Sequence, residues 1–112
     1  MSDRQPIIVL VTTGSADNAE TIARTLVAER LAACANILPG IRSIYRWQGR
    51  IADEAEWLLV IKSERACFAA LEARVRALHG YEVPEVIAVD VVDGSKRYLE
   101  WLLGEVGGGA GG

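Results

Sequence analysis

The sequence predicts an α+β fold in which strands and helices follow one another in the order βαββαβα. Three observations predict it. Two β-branched runs, residues 7–13 and 83–92, each lie next to a segment with helical periodicity. Between them, two long strand-like segments are joined by a two-residue turn. The chain has 112 residues, one domain's worth, and its 51% of hydrophobic residues suffices for a core.

The first strand is the run IIVLVTT, residues 7–13. A continuous β-branched run is typical of a central strand that is buried on both faces. The segment GSADNAE then supplies two candidate helix caps, Ser15 and Asp17. Apolar residues recur at helical spacing from there to about Arg30, so the first helix is predicted to lie with one face on the sheet.

The second and third strands are predicted to form a long hairpin. Pro39 and Gly40 interrupt the first of them and predict a bulge, because proline cannot donate a hydrogen bond to a neighbouring strand. Gln48 and Gly49 form a plausible tight turn that leads into RIADEAEWLLVIK, residues 50–62.

The hairpin is longer than the domain that carries it. Its second arm, residues 50–62, spans about 43 Å when extended, and a compact domain of this length is only about 34 Å across. We expect it to overhang the core and to need cover from another subunit. Ile51, Trp57 and Trp101 are the predicted interface residues of a homo-oligomer. The alternative is a bulge that bends the strand back over its own core.

In the second half, Ser63 is a candidate cap for a second helix, which Gly80 would end in a left-handed conformation. The fourth strand is VPEVIAVDVV, residues 83–92. Together these elements form the split βαβ, ferredoxin-like sandwich: an antiparallel sheet with two helices on one face.

Ser95 is predicted to cap a last helix, KRYLEWLL, which Gly104 ends. Residues 1–104 therefore form a single domain. The Gly-rich tail, residues 105–112, has few side chains to pack and is expected to be flexible.

Composition excludes several classes of protein. The formal charge is −3 and the basic residues are scattered, which argues against a nucleic-acid partner. No apolar run approaches about 18 residues, so no membrane span is expected. Without a secretory signal, Cys34 and Cys67 are interpreted as reduced cytoplasmic thiols. No hydrolase or nucleotide-binding motif is present, so we expect no enzyme of those kinds.

Three stretches resemble the CutA family of divalent-cation tolerance proteins: ERLAACANILPGIRSIYRWQGRI, EAEWLLVIKS and LHGYEVPEVIAVDVVDGSKRYLEWL. The resemblance covers about residues 7–103. It implies a ferredoxin-like protomer, a homotrimer held together by long hairpins, a cytoplasmic location in bacteria and an association with copper and other divalent cations. It also implies a likeness in fold and trimer form to PII signal-transduction proteins, and no enzymatic reaction.

The chain departs from the family pattern at several positions. Gly14 and Gly80 stand where the family usually has proline. Val11 and Leu78 stand where some members have a cysteine and a second histidine, and neither side chain can bind a metal. The resemblance therefore implies a depleted copper site.

His79 and Glu85 are the candidate metal ligands that remain. Neutral imidazole suits copper, nickel and zinc. Two protein donors make a weak site, which Glu82, water or three-fold symmetry would have to complete. The alternative is that His79 caps the end of the second helix.

Tyr45, Trp47, Lys62 and Tyr81 are candidate residues of a cleft. A two-residue turn places Tyr45, Trp47 and Lys62 on one face of the hairpin. A lysine at the end of a buried strand should reach solvent or a carboxylate. The alternative is packing at an interface, with surface charge pairs.

Glu54 and Glu56 alternate along the third strand, next to Asp53, and the three are interpreted as a solvated edge rather than an acid–base pair. Cys34 is a possible ligand for Cu(I), although packing is the alternative.

Three hypotheses about function follow. The first is a non-enzymatic cytoplasmic homotrimer that binds divalent metal ions, copper first, and contributes to cation tolerance. The second is a PII-like trimeric sensor that binds a small molecule or an anion in clefts between subunits. The third is a structural trimer that anchors another protein.

Overall fold

The computed structural model describes residues 4–107, which contain four strands, three α-helices and one short 3₁₀ turn. The predicted order of elements is confirmed. The elements are β1 (Pro6–Thr13), α1 (Ala16–Ala28), β2 (Cys34–Trp47), β3 (Arg50–Glu64), the 3₁₀ turn (Arg65–Cys67), α2 (Phe68–Leu78), β4 (Val86–Asp90) and α3 (Lys96–Glu105).

The four strands form one sheet in the order β2-β3-β1-β4, and every neighbouring pair is antiparallel. β3 lies between β1 and β2, the split βαβ arrangement that the sequence predicts. The fourth strand is shorter than expected. It pairs only over Val86–Asp90, and Pro84 lies in the loop before it.

The hydrophobic core lies between one face of the sheet and helices α1 and α2. Alternate residues of β1 are buried, and they meet apolar residues of β3 and of the two helices. The prediction that β1 is buried on both faces is wrong for the chain by itself, because Ile8, Leu10 and Thr12 remain partly exposed on the other face. The largest fully buried members of this core are Ile7, Val9, Val11, Ile22, Leu26, Leu59, Ile61, Leu71 and Val75.

The second face of the sheet is apolar and open. The strand registers place Ile8, Leu10, Leu58 and Val60 side by side on it. Ile87 and Val89 of β4 continue this face, and each is 50% exposed. We call these six residues the open sheet face.

The helix ends follow local signals only in part. Ser15 caps α1, as predicted, and its hydroxyl accepts a hydrogen bond from the Asn18 amide at 3.0 Å. The prediction that Ser63 caps the second helix is wrong, since Ser63 lies buried in β3 and donates to the Leu31 carbonyl. Gly80 does not adopt the predicted left-handed conformation; α2 ends at Leu78, and the C-cap residue His79 is extended.

The hairpin has the predicted turn and the predicted bulge. Gln48 and Gly49 both have positive φ, 51° and 79°, as in a type I′ turn. The register of β2 against β3 shifts between Leu38 and Ile41. β1 pairs with β3 only as far as Trp57, so the part of β3 before Trp57 has β2 as its single neighbouring strand. The overhang is therefore present, and the molecule measures 48 × 26 × 22 Å.

The last helix extends past its predicted end. Ser95 caps α3, but Gly104 lies inside the helix and does not stop it. Arginine side chains satisfy two of the terminal carbonyls: Arg30 Nη2 donates to Gly104 O at 3.0 Å, and Arg4 Nη2 to Leu103 O at 2.5 Å. Val106 is fully buried, so packing continues beyond residue 104. Residues 108–112 of the predicted flexible tail lie outside the described residues.

Candidate functional site

A cleft of about 900 Å³ lies between the overhanging hairpin and the loop that follows α2. It brings together three of the four predicted cleft residues, Tyr45, Trp47 and Tyr81, and one of the two predicted metal ligands, Glu85. Its lining comprises Thr12, Arg42, Ser43, Ile44, Tyr45, Trp47, Gln48, Glu54, Glu56, Gly80, Tyr81, Glu82, Val83 and Glu85.

Tyr81 and Glu56 form the buried floor of this cleft. The Tyr81 hydroxyl donates to Glu56 Oε2 at 2.6 Å, and Glu56 is only 4% exposed. Burial and this hydrogen bond raise the pKa of Tyr81 well above its ordinary value, so the phenol stays protonated. The prediction that Glu56 belongs to a solvated edge is therefore wrong. Tyr81 covers it at the point where β1 has ended.

Tyr45 and Glu54 repeat the same pairing nearer the tip of the hairpin. The Tyr45 hydroxyl donates to Glu54 Oε1 at 2.7 Å, and this hydrogen bond raises the pKa of Tyr45. The two residues are diagonal neighbours across the hairpin, because Ser43 lies directly opposite Glu54. Both are exposed. Trp47, 47% exposed, extends this aromatic wall towards the turn.

The cleft carries an excess of negative charge. Its lining holds four carboxylates and one guanidinium. The guanidinium of Arg42 is already neutralised, since it donates to both oxygens of Asp53 at 2.8 and 2.6 Å. Glu82 and Glu85 make no side-chain hydrogen bond or ion pair among residues 4–107. The cleft therefore favours a cation over an anion.

His79 is held by two hydrogen bonds. Its Nδ1 accepts from the Tyr81 amide at 2.9 Å, so the ring proton is on Nε2, which donates to the Thr12 carbonyl at 2.7 Å. The ring therefore joins the end of β1 to the loop after α2. The alternative prediction, in which the His79 ring caps the carbonyls at the end of α2, is wrong. The Asn18 side chain, and not His79, donates to Leu78 O.

A single chain does not assemble a metal site within residues 4–107. No three side chains of histidine, cysteine, aspartate or glutamate converge there. His79 would have to give up a hydrogen bond to become a ligand, because the lone pair of Nδ1 is already shared with the Tyr81 amide. The donor set within one chain does not fit a tightly bound transition metal.

Lys62 lies outside the cleft. Its ammonium group donates to the side chain of Asn36, and no carboxylate meets it among the ion pairs of the described residues. Cys34, its partner across β2 and β3, is a free and half-buried thiol.

The three predicted interface residues lie in different surroundings. Ile51, next to the hairpin turn, is 71% exposed. Trp57 packs against the hydrophobic core of its own chain. Trp101 on α3 is 45% exposed, and its ring lies 5.5 Å from that of Tyr98.

Sequence reasoning missed two contacts that shape the site. Gly14 lies against Tyr81, where a β-carbon would stand 2.9 Å from the phenol oxygen. Arg42 lines the cleft through its pair with Asp53. The positions of Arg42 and Asp53 on either side of the hairpin turn make them diagonal neighbours, a signal that could have predicted their ion pair. No local signal reports the contact of Gly14 with a residue 67 positions away.

The chain is similar to one named family over most of its length. A family model described as CutA1 divalent ion tolerance protein matches residues 7–105. A curated relative, the divalent-cation tolerance protein CutA of Thermus thermophilus, is 49% identical over 100 residues, which are 89% of this chain and 97% of that protein. The chloroplastic protein CutA of Arabidopsis thaliana is 45% identical over 86% of this chain and 53% of its own length.

Solved structures agree with the observed fold. The divalent cation tolerance protein from Thermus thermophilus superposes with a TM-score of 0.89 at 48% identity, over 91% of this chain and 99% of the other. Among residues 4–107, no helix has the length and apolar character needed to cross a membrane.

Proposed function

Because this chain belongs to the family of CutA1 divalent ion tolerance proteins, we propose that it acts in divalent-cation tolerance as a non-enzymatic, cytoplasmic homotrimer that binds divalent metal ions, copper first. The open sheet face is the observation that supports the homotrimer. Its apolar side chains are half-buried on β1 and β3 and exposed on β4, and such a surface is rarely left without a partner.

The trimer is tested by mass. Light scattering should give about 36 kDa, three times the 12.1 kDa of the chain. Val60→Asp, which places a charge on the open sheet face, should give the mass of one chain. Ala70→Asp adds the same charge at an exposed position of α2 and should leave the mass of the assembly unchanged. A wild-type mass of one chain contradicts the proposal.

Metal binding within this assembly needs donors from more than one subunit, because one chain brings no three together in its described part. Glu85 is the more available of the two candidate ligands. Its carboxylate makes no hydrogen bond or ion pair within residues 4–107 and lines the cleft, whereas His79 is bonded at both nitrogens.

Calorimetric titration with Cu(II) tests the metal site. Wild type should bind with a defined stoichiometry, and Glu85→Gln and His79→Ala should each weaken binding. Glu100→Gln, an exposed carboxylate on α3, is the control for non-specific attraction. Equal binding by all four proteins, or none by wild type, would overturn the proposed ligands.

The cytoplasmic and non-enzymatic parts of the proposal have separate support. Two free cysteines, Cys34 and Cys67, suit a reducing compartment, and cell fractionation checks the location. The tyrosine hydroxyls of the cleft donate to Glu54 and Glu56, and both ring nitrogens of His79 are bonded to backbone groups. Within residues 4–107, no serine, threonine or cysteine side chain is hydrogen-bonded to a histidine, the pairing that activates the nucleophile of an ordinary hydrolase.

A second candidate function is a PII-like sensor whose clefts bind a small molecule. The cleft itself favours it, since about 900 Å³ exceeds what a metal ion needs and lies within the range of small-molecule sites. Native mass spectrometry of the purified assembly tests it: a retained organic ligand supports the sensor.

A further inference from the structure

The walls of the cleft identify the class of ligand that it would hold. Two tyrosines and a tryptophan line it: Tyr45 and Trp47 on the hairpin, and Tyr81 on the loop after α2. Aromatic faces attract cations, most strongly those of ammonium and quaternary ammonium type. A cation that brings an apolar body with it gains from the same rings through burial.

The charges of the cleft select the sign of the ligand. Glu54, Glu82 and Glu85 are exposed carboxylates on its lining, and the buried Glu56 adds a fourth. The single guanidinium there is paired with Asp53. An anion would meet repulsion without an unpaired positive group to offset it.

The spacing of these charges separates an organic cation from a metal ion. A metal ion needs several donors converging on one point. The carboxylates of the described chain form no such group, although they line one cleft of about 900 Å³. Separate carboxylates and aromatic rings in one cleft suit a ligand whose positive charges are themselves separated by a carbon chain.

We infer that this cleft binds an organic polyamine, whose ammonium groups meet the separate carboxylates and whose alkyl chain lies on Trp47 and Tyr45. The inference rests on the second candidate function, the small-molecule cleft, and is independent of metal binding. It replaces the small anion of that hypothesis with a cation, because the lining has no free positive side chain among residues 4–107.

The test is calorimetric titration of the assembled protein with spermidine, in the presence of a chelator so that no metal ion takes part. We expect saturable binding with one site per chain. Glu54→Gln should weaken it about tenfold, through loss of one ion pair. Trp47→Leu should weaken it about 2- to 30-fold, the range expected for one cation–π contact.

Glu100→Gln is the matched control, because it removes the same charge from an exposed position outside the cleft. It should leave the affinity for spermidine unchanged. Light scattering on each variant shows whether the assembly is intact. If Trp47→Leu disturbs the hairpin, Glu54→Gln still tests the inference, because the glutamine oxygen can accept the Tyr45 hydrogen bond in place of the carboxylate.

Three results overturn the inference. One is equal weakening by Glu54→Gln and Glu100→Gln, which marks non-specific attraction. Another is binding of inorganic phosphate in place of spermidine. That result would show that the cleft binds a ligand but prefers an anion to a cation. The third is no binding of either probe to an intact assembly, as when a neighbouring copy fills the cleft; that result also removes the second candidate function.

Discussion

The phenol of Tyr81 donates a 2.6 Å hydrogen bond to the carboxylate of Glu56, a residue of β3 that is only 4% exposed. This bond attaches the loop after α2 to the hairpin at the point where β1 stops. The backbone amide of Tyr81 also donates to His79, whose ring bonds the Thr12 carbonyl. The loop is thus held from both sides, and the cleft has a fixed floor.

Tyr81→Phe should lower the free energy of unfolding by about 1–3 kcal/mol, because it leaves a buried carboxylate without its donor. Denaturant unfolding at fixed protein concentration measures the change. Tyr45→Phe is the control, since it removes an equivalent bond to the exposed Glu54 and should cost less. If the free energy of unfolding falls equally in the two variants, the burial of Glu56 does not add to the strength of its bond with Tyr81.

Alkaline pH should destabilise the protein through Tyr81. Its pKa in the folded protein is raised above the ordinary value of 10.0, by burial first and then by the bond to Glu56. Below about pH 10 its contribution is fully present. Above that pH the unfolded chain releases the proton first, so stability falls as pH rises.

Unfolding at about pH 8 and at about pH 10.5 measures this loss, and the loss should be smaller in Tyr81→Phe than in wild type. Ultraviolet absorbance of tyrosinate in the folded protein provides an independent check. The same alkaline loss in both proteins contradicts the assignment to Tyr81.

Gly14→Ala should destabilise the protein by about 1 kcal/mol or more, because the new β-carbon would stand 2.9 Å from the Tyr81 oxygen. Gly80→Ala should be neutral or stabilise by up to about 1 kcal/mol, since the new β-carbon would stand 4.0 Å from Asn18 Oδ1 and the φ of Gly80 is not left-handed. Thermal unfolding of the two variants compares them directly. The reverse order would contradict the close approach at Gly14.

Arg30→Met should lower the free energy of unfolding by about 1–3 kcal/mol, through loss of a charge-assisted bond to the end of α3. Arg30 Nη2 donates to Gly104 O. Arg24→Met is the control. It removes only an exposed ion pair with Glu20 on α1, worth about 0.5 kcal/mol or less. A loss at Arg30 no larger than the loss at Arg24 would show that α3 needs no cap there.

Local patterns predicted the order of elements because each depends on residues close together in the chain. Ser15 and Ser95 cap helices three residues from the amides they accept from, and the Gln48–Gly49 turn needs only its own backbone. Ser63 was misassigned because the same residue type also suits a buried strand when a distant carbonyl, that of Leu31, accepts its hydroxyl proton.

The site was predicted less completely, because its contacts join distant parts of the chain. Tyr45 and Trp47 line the cleft from the hairpin, and Tyr81 joins them from the loop after α2, but Lys62 bonds Asn36 instead. Glu56 looks like its exposed neighbour Glu54 in the sequence. It is buried because Tyr81, 25 residues later, folds over it.

The sequence by itself determined the fold class, the hairpin with its turn and bulge, and the resemblance to a family, since hydrophobic periodicity and turn residues act over a few positions. Only the tertiary structure decided the partners of His79, the burial of Glu56 and the acidic, aromatic character of the cleft. Those features depend on which strand ends beside which loop, and such neighbours are set by packing of the whole sheet.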